Sequence, residues 1–392
     1  MTVSQPTAPH ENRVHGLDIF RSLAILCVLV AHAFEHSKLP NEIKVFGNLG
    51  VLGVELFFAL SGFLIGGIIM RLMDQGKFHS FADVRVFWKR RWLRTLPLYF
   101  IALLAFLRFD YHGRHGLLDY PTYYFFMQSF AGRIPEFFEL SWSLAIEEHF
   151  YLWFPLALLL WYRVVRKMGP AIVLSALSFV CIAYAFRLSQ PIFSDWKEYL
   201  FLIRMTVLSR MDAIMFGVLI AAIKHHKPLV FAFIRSLTPL TAALLLLLET
   251  WWFVYSPHML DSRAIQANLF TFQSILCALL LPWFDGLSGR HSEQSFFTVT
   301  SRLSYSLYLT HILVIIGVNT QLARFGVYDI AYNNPFILYP LYFGLFYLLA
   351  WVTYHRIEKP FLSLRDIPFS WRSSVQAGWF SLLACVFLIF LA

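Results

Sequence analysis

The sequence predicts an all-α fold, a polytopic transmembrane helical bundle with about eleven spans and one short re-entrant or interfacial segment. Composition is the first reason. Of 392 residues, 58% are hydrophobic and only 14% are charged, against roughly 25% charged in an ordinary soluble domain. Mean hydropathy is +0.61. So little charge cannot coat a soluble fold of this size, which excludes a soluble enzyme, a disordered chain and a disulfide scaffold. The second reason is the recurrence of apolar runs of about 20 residues, the length that crosses a hydrocarbon core. The third is the spacing of the basic residues between those runs. The net charge of +9 then points to cytoplasmic loops and not to nucleic-acid binding.

Taken in order, the spans are expected near 17–36, 51–71, 93–109, 149–164, 170–187, 205–223, 236–255, 266–284, 303–321, 336–355 and 375–391. The run from Tyr120 to Ala131 is apolar but too short to cross. With the N-terminus in the cytoplasm, 21 of the 32 Lys and Arg residues fall on the cytoplasmic side, as the positive-inside rule asks. Leu23 to Val30 followed by Ala31-His32-Ala33 superficially resembles a cleaved signal peptide. Asp18 and Arg21 flank that core awkwardly, which favours a retained first helix. The expected organisation is a cytoplasmic tail over 1–16, a membrane domain over 17–364, and a cytoplasmic linker with a final span over 365–392. Cys27, Cys181, Cys277 and Cys385 all sit in apolar runs without a CxxC pair, so neither a disulfide framework nor a metal site is expected.

Ionisable residues inside spans cost several kcal/mol each and mark candidate sites. Arg21 and His32 are eleven residues apart, close to three helical turns, and share a face roughly 16 Å apart along the axis. Glu35 lies one turn beyond His32, where it could orient the imidazole. The plainer reading makes Arg21 and Glu35 interface markers and His32 a bundle hydrogen-bonder; a facial Arg–His–Glu stripe favours a site. Arg90, Arg91 and Arg94 belong to a dense basic cluster. Arg91 and Arg94, one turn apart, could grip a polyanion or simply anchor lipid headgroups. Glu55 stands near the outer end of its span, with Ser61-Gly62 permitting close helix packing. Glu147 and Glu148 follow Trp142 at the outer start of a span, where one could cap the helix and the other enter a cavity. Arg210 and Asp212, two residues apart, do not face each other on a helix and need partners elsewhere. His311 is a lone histidine amid aromatics, for which packing is the plainer reading. No Walker loop, GxGxxG or HExxH is present.

Six segments in series resemble the acyltransferase family 3 of integral membrane proteins. They are Leu17-Asp18-Ile19-Phe20-Arg21-Ser22-Leu23-Ala24 with His32 following; Glu55-Leu56-Phe57-Phe58-Ala59-Leu60-Ser61-Gly62-Phe63-Leu64-Ile65; Arg91-x-x-Arg94; Trp142-Ser143-Leu144-Ala145-Ile146-Glu147; Ser304-Tyr305-Ser306-Leu307-Tyr308 through His311; and Ile357-Glu358-Lys359-Pro360-Phe361. The resemblance runs from Leu17 to about Leu364. It implies O-acyl transfer, usually of acetyl, from cytoplasmic acyl-CoA to a hydroxyl of a surface or exported carbohydrate or glycolipid. It further implies a bacterial inner-membrane location and no metal. His32 and Arg21 then belong to the essential first-helix motif, and Arg91 and Arg94, with Arg90, to the donor-binding cluster. Glu147, Glu148, Glu55, Trp142 and His311 become candidates on the acceptor side. Many members carry a C-terminal SGNH-type hydrolase domain; a chain ending at Ala392 inside a span is expected to be a stand-alone member. The competing class is a transporter or flippase of a lipid or glycan, which intramembrane charges would also suit.

Overall fold

Helix after helix carries the chain back and forth past a shared interior, and no strand occurs among the described residues. The computed structural model describes residues 13–36, 47–109, 121–132, 138–259, 262–288 and 292–365. The expected tail up to residue 12 and the expected span at 375–391 lie outside these. The helices are α1 (His15–Glu35), α2 (Leu49–Asp74), α3 (Phe81–Phe109), the single turn α4 (Pro121–Tyr124), α5 (Ser141–Val165), α6 (Met168–Ser189), α7 (Trp196–Tyr199), α8 (Ala213–His226), α9 (Pro228–Ser236), α10 (Thr238–Met259), α11 (Arg263–Asp285), α12 (Phe296–Arg324), α13 (Tyr328–Tyr332), α14 (Pro335–Thr353) and α15 (Lys359–Ser363). A π-helical turn, Leu200–Arg204, extends α7, and another, Tyr354–Glu358, joins α14 to α15.

Ten of the expected spans fall on described residues, and each meets a helix. By length and apolar content seven helices can cross a membrane, or nine when two bent pairs are each taken as one span. Eleven is therefore not reached among the described residues. The first bent pair, Trp196–Arg204 with Leu208–His226, turns through 79°. It leans on the segment expected to be re-entrant: the Val207 amide donates to the Ser129 carbonyl at 2.8 Å and Leu208 to Phe130 at 3.3 Å. Ser129 and Gln128 are buried, as irregular backbone in a membrane protein must be.

The interior forms around α1, α2, α8, α11 and α12. α1 presents Leu17, Phe20, Ala24, Ile25, Val28 and Leu29 inward, a stripe at the three-to-four-residue spacing of a helix face. α2 and α8 touch backbone to backbone. A Cβ on Gly62 would stand 1.9 Å from the Ile214 carbonyl oxygen, and one on Gly217 would stand 2.0 Å from that of Ala59. Only glycine fits at either point, and such small-residue contacts are how helices gain packing energy in lipid.

Two ion pairs are sealed inside this interior. Arg210 donates to Glu55 at 2.5 Å, and Ser274 adds a 2.8 Å bond to the same carboxylate oxygen. Arg187 donates to Asp212 at 2.7 Å, and Thr271 to the other oxygen of Asp212 at 2.6 Å. None of these four charged side chains is more than 1% exposed. Arg210 and Asp212 thus turn to different partners, as their spacing required. Glu55, expected from the sequence as an acceptor-side candidate, accepts from a buried arginine in the turn that leads into α8.

Candidate active site

Helix α12 organises the site, because four of its side chains reach four different segments of the chain. Tyr305 donates to the Thr95 carbonyl at 2.5 Å, one residue beyond Arg94 on α3. Ser306 donates to Glu358 at 3.1 Å. Tyr308 exchanges a 2.6 Å hydrogen bond with Ser143 on α5. His311 meets His32 of α1, with Nε2 and Nδ1 3.2 Å apart and ring centroids 5.1 Å apart. Residues at steps of one, two and three along one helix fan out around its axis, so one helix can collect several neighbours. At the helix start, Ser301 donates to Asp18 at 2.7 Å and Arg13 binds the same carboxylate at 2.6 Å, which ties α1 to α12.

The tautomers of the histidine pair follow from its partners. His311 Nδ1 lies 2.9 Å from the Leu307 carbonyl, which can only accept. Nδ1 therefore carries the proton of a neutral ring, and Nε2 carries a lone pair. His32 Nδ1 faces that lone pair and, at 3.0 Å, the Val28 carbonyl. It must be an N–H shared between two acceptors. The lone pair of a neutral His32 is thereby assigned to Nε2, which makes no hydrogen bond with any described residue. Glu35 takes no part in this: it is exposed, and the ring is oriented by Val28 and His311 instead. His311, read from sequence as packing, is the group that holds His32.

About three turns from His32 along α1, toward the Arg13 end, Arg21 belongs to an arginine layer. Arg91 and Arg94 stand 10 and 13 residues into α3, roughly 15–20 Å from its start; both are half-buried, whereas Arg90 is exposed. Arg91 donates to the Tyr151 hydroxyl and stacks on that ring at 4.1 Å. Tyr151 in turn donates to Glu147 at 2.7 Å and accepts from Ser61 at 2.6 Å, which saturates its one proton and two lone pairs. Glu147, expected from the sequence at an outer helix start, lies six residues into α5 and within Coulombic reach of Arg91, Arg94 and Arg21. Glu148 is buried near Thr95, Trp92 and Arg91 without a well-formed hydrogen bond. Arg21 is half-buried, lies within reach of Arg94 and Arg91, and makes no hydrogen bond with a described residue.

Two features escaped sequence reading. Tyr151 carries no charge and sits in an apolar run. Arg204 stands one residue before the span expected to start at Met205; a window opened slightly earlier would have flagged an intramembrane arginine. Trp142, read as an acceptor-side residue, is buried beneath it, with the guanidinium 4.5 Å from the ring.

No group of three or more His, Cys, Asp or Glu residues that could hold a metal occurs among the described residues. A multi-pass helical bundle with a histidine pair above a layer of arginines defines the class. The chain belongs to the family described as "Acyltransferase domain", whose model matches residues 14–355. Among relatives, a Staphylococcus aureus (strain MRSA252) protein named "Putative O-acetyltransferase" is 25% identical over 92% of this chain and 59% of its own length. A Bacillus subtilis (strain 168) protein named "Putative peptidoglycan O-acetyltransferase" is 28% identical over 44% of this chain and 28% of its own. The chain spans about 59% of the length of the staphylococcal relative. No solved structure matches.

Proposed function

We propose that this protein is an O-acyltransferase of the bacterial inner membrane, with its N-terminus in the cytoplasm. It moves an acyl group, most simply acetyl, from cytoplasmic acyl-CoA to a hydroxyl of an exported or surface carbohydrate. The observation that carries this reading is the His32 tautomer, with Nδ1–H held by two acceptors and Nε2 making no hydrogen bond with a described residue. A sugar hydroxyl is a poor nucleophile until its proton is taken, and a neutral imidazole suits that task. In the reaction, Nε2 takes the hydroxyl proton as the oxygen attacks the acyl carbonyl carbon. The intermediate collapses with cleavage of the thioester C–S bond, and the proton passes from His32 to the departing thiolate. The imidazolium formed in between keeps Nδ1–H on Val28 and on the His311 lone pair.

Donor binding falls to the arginine layer. Arg21 and Arg94 lie within Coulombic reach of each other, and guanidinium groups suit phosphate. Arg91 acts through Tyr151 and Glu147, fixing α3 against α5. From Arg21 the span to His32 is roughly 16 Å along α1, a length that an extended pantetheine arm bridges, so phosphates and thioester can be held at once. The acceptor arrives from the opposite end, past the exposed Glu35 and Glu139. The relatives named O-acetyltransferases support acetyl as the acyl group, and the peptidoglycan relative supports a carbohydrate acceptor. His32→Ala should lower transfer by about 10²–10⁴-fold in proteoliposomes supplied with labelled acetyl-CoA and extracted envelope glycans, with thermal stability kept. Retention of more than a tenth of the wild-type rate removes His32 as the base.

A further inference from the structure

Arg204 ends the π-helical turn Leu200–Arg204 at the point where the chain bends through 79°. It is 6% exposed, and its Nε is sealed from solvent without a hydrogen-bond partner. Among the described residues no carboxylate, carbonyl or hydroxyl accepts from any of its nitrogens. Its only close neighbour of note is the Trp142 ring at 4.5 Å. The other buried arginines of this region are treated differently: Arg210 ends on Glu55 and Arg187 on Asp212. A buried cation left without a counter-group costs several kcal/mol, and a chain that places carboxylates beside two neighbouring arginines has the means to neutralise a third.

The position of the guanidinium gives the reason. Trp142, on which it stacks, precedes Ser143, which holds Tyr308, one turn before His311. Arg204 lies within Coulombic reach of His32 and of Tyr308. The groups of known charge around it are Glu55, already bound to Arg210, Glu249, which accepts from Gln273, the exposed Glu139, and Arg210 itself. Among the described residues none of these carboxylates is hydrogen-bonded to Arg204, so its guanidinium keeps its donors in the resting protein.

We infer that Arg204 stabilises the oxyanion of the tetrahedral intermediate formed beside His32. When the acceptor oxygen bonds to the acyl carbon, the carbonyl π pair moves onto the carbonyl oxygen, and the guanidinium donates to that charge. The pair returns as the C–S bond breaks, so the cation gains a partner only during the reaction. Such interactions accelerate the chemical step because they strengthen in the transition state. The inference rests on the acyl-transfer reading above.

Two measurements test it. In the proteoliposome assay, Arg204→Gln should lower kcat by about 10²–10³-fold with both KM values essentially unchanged, and Arg204→Lys should recover part of the loss. An unchanged kcat, or a loss confined to KM, overturns the inference. The second needs no turnover and uses methylphosphonate, a tetrahedral anion bearing the methyl of an acetyl adduct. With the donor site weakened by Arg21→Gln, methylphosphonate should still raise the Tm of the full chain in detergent. Adding Arg204→Gln, or Arg204→Lys if the glutamine variant fails to fold, should abolish or reduce that rise; an equal rise overturns the inference. If His32→Ala proves fully active while Arg204→Gln is slow, the base assignment falls and the oxyanion role stands.

Discussion

Arg210 and Arg204 lie six residues apart on the same bent segment, both buried, yet one ends on a carboxylate and the other on an aromatic ring. Arg210 and Glu55 are each 0% exposed, and the pair clamps α2 against the chain leading into α8. Arg187 and Asp212 do the same between α6 and that segment. The charges near the histidine pair are not matched in this way: Arg204 and Arg21 make no hydrogen bond with a described residue, and Arg21 remains half-buried within reach of the like charges Arg94, Arg13 and Arg91 and of Asp18, Glu147 and Glu358. A membrane interior tolerates either arrangement only for a reason. Charge matched by charge and closed to solvent holds helices together; under the proposed function, the charge without a hydrogen-bond partner near His32 is the one that meets a ligand.

The comparison breaks most readily at the matched end. Arg210→Met leaves Glu55 buried without a counterion and should cost about 3–5 kcal/mol, read as a large fall in Tm or loss of folded protein. Replacing both partners, Glu55→Leu with Arg210→Met, should recover most of that loss. Arg204→Met, by contrast, should leave Tm unchanged or raise it. Equal destabilisation by the two arginine variants would erase the distinction between the regions.

His311→Leu sharpens the unmatched end. It removes the acceptor opposite His32 Nδ1, a hydrogen bond that becomes charge-assisted when His32 is protonated. Such bonds contribute about 1.5–3 kcal/mol, so the transfer rate should fall about 10- to 100-fold. Glu35→Gln, measured beside it, should change the rate little; the reverse ranking would restore Glu35 as the group that orients the ring. The smallest effect belongs to Ser274→Ala. It removes one of two donors to the Glu55 oxygen and should lower stability by about 0.5–1.5 kcal/mol in a detergent unfolding series, with transfer unaffected.

Much of this protein follows from its sequence alone. Apolar length and scarce charge require a helical membrane bundle, because an unpaired backbone is not tolerated in lipid. Helix period alone puts Arg21 and His32 on one face, since three turns of α1 separate them. The same reasoning shows that Arg210 and Asp212 cannot serve each other. Which partner each charge finds is another matter. Glu55 meets Arg210 across 155 positions, and His32 meets His311 across 279. Local spacing offered Glu35 as the nearest carboxylate to His32, but a side chain one turn away can point to the exposed side while a neighbouring helix supplies the contact. Arg91 read as part of a surface cluster until the length of α3 carried it inward to Tyr151. Periodicity fixes which residues share a face; only the packing of helices distant in sequence decides which faces meet, and so which buried charges find an ion-pair partner.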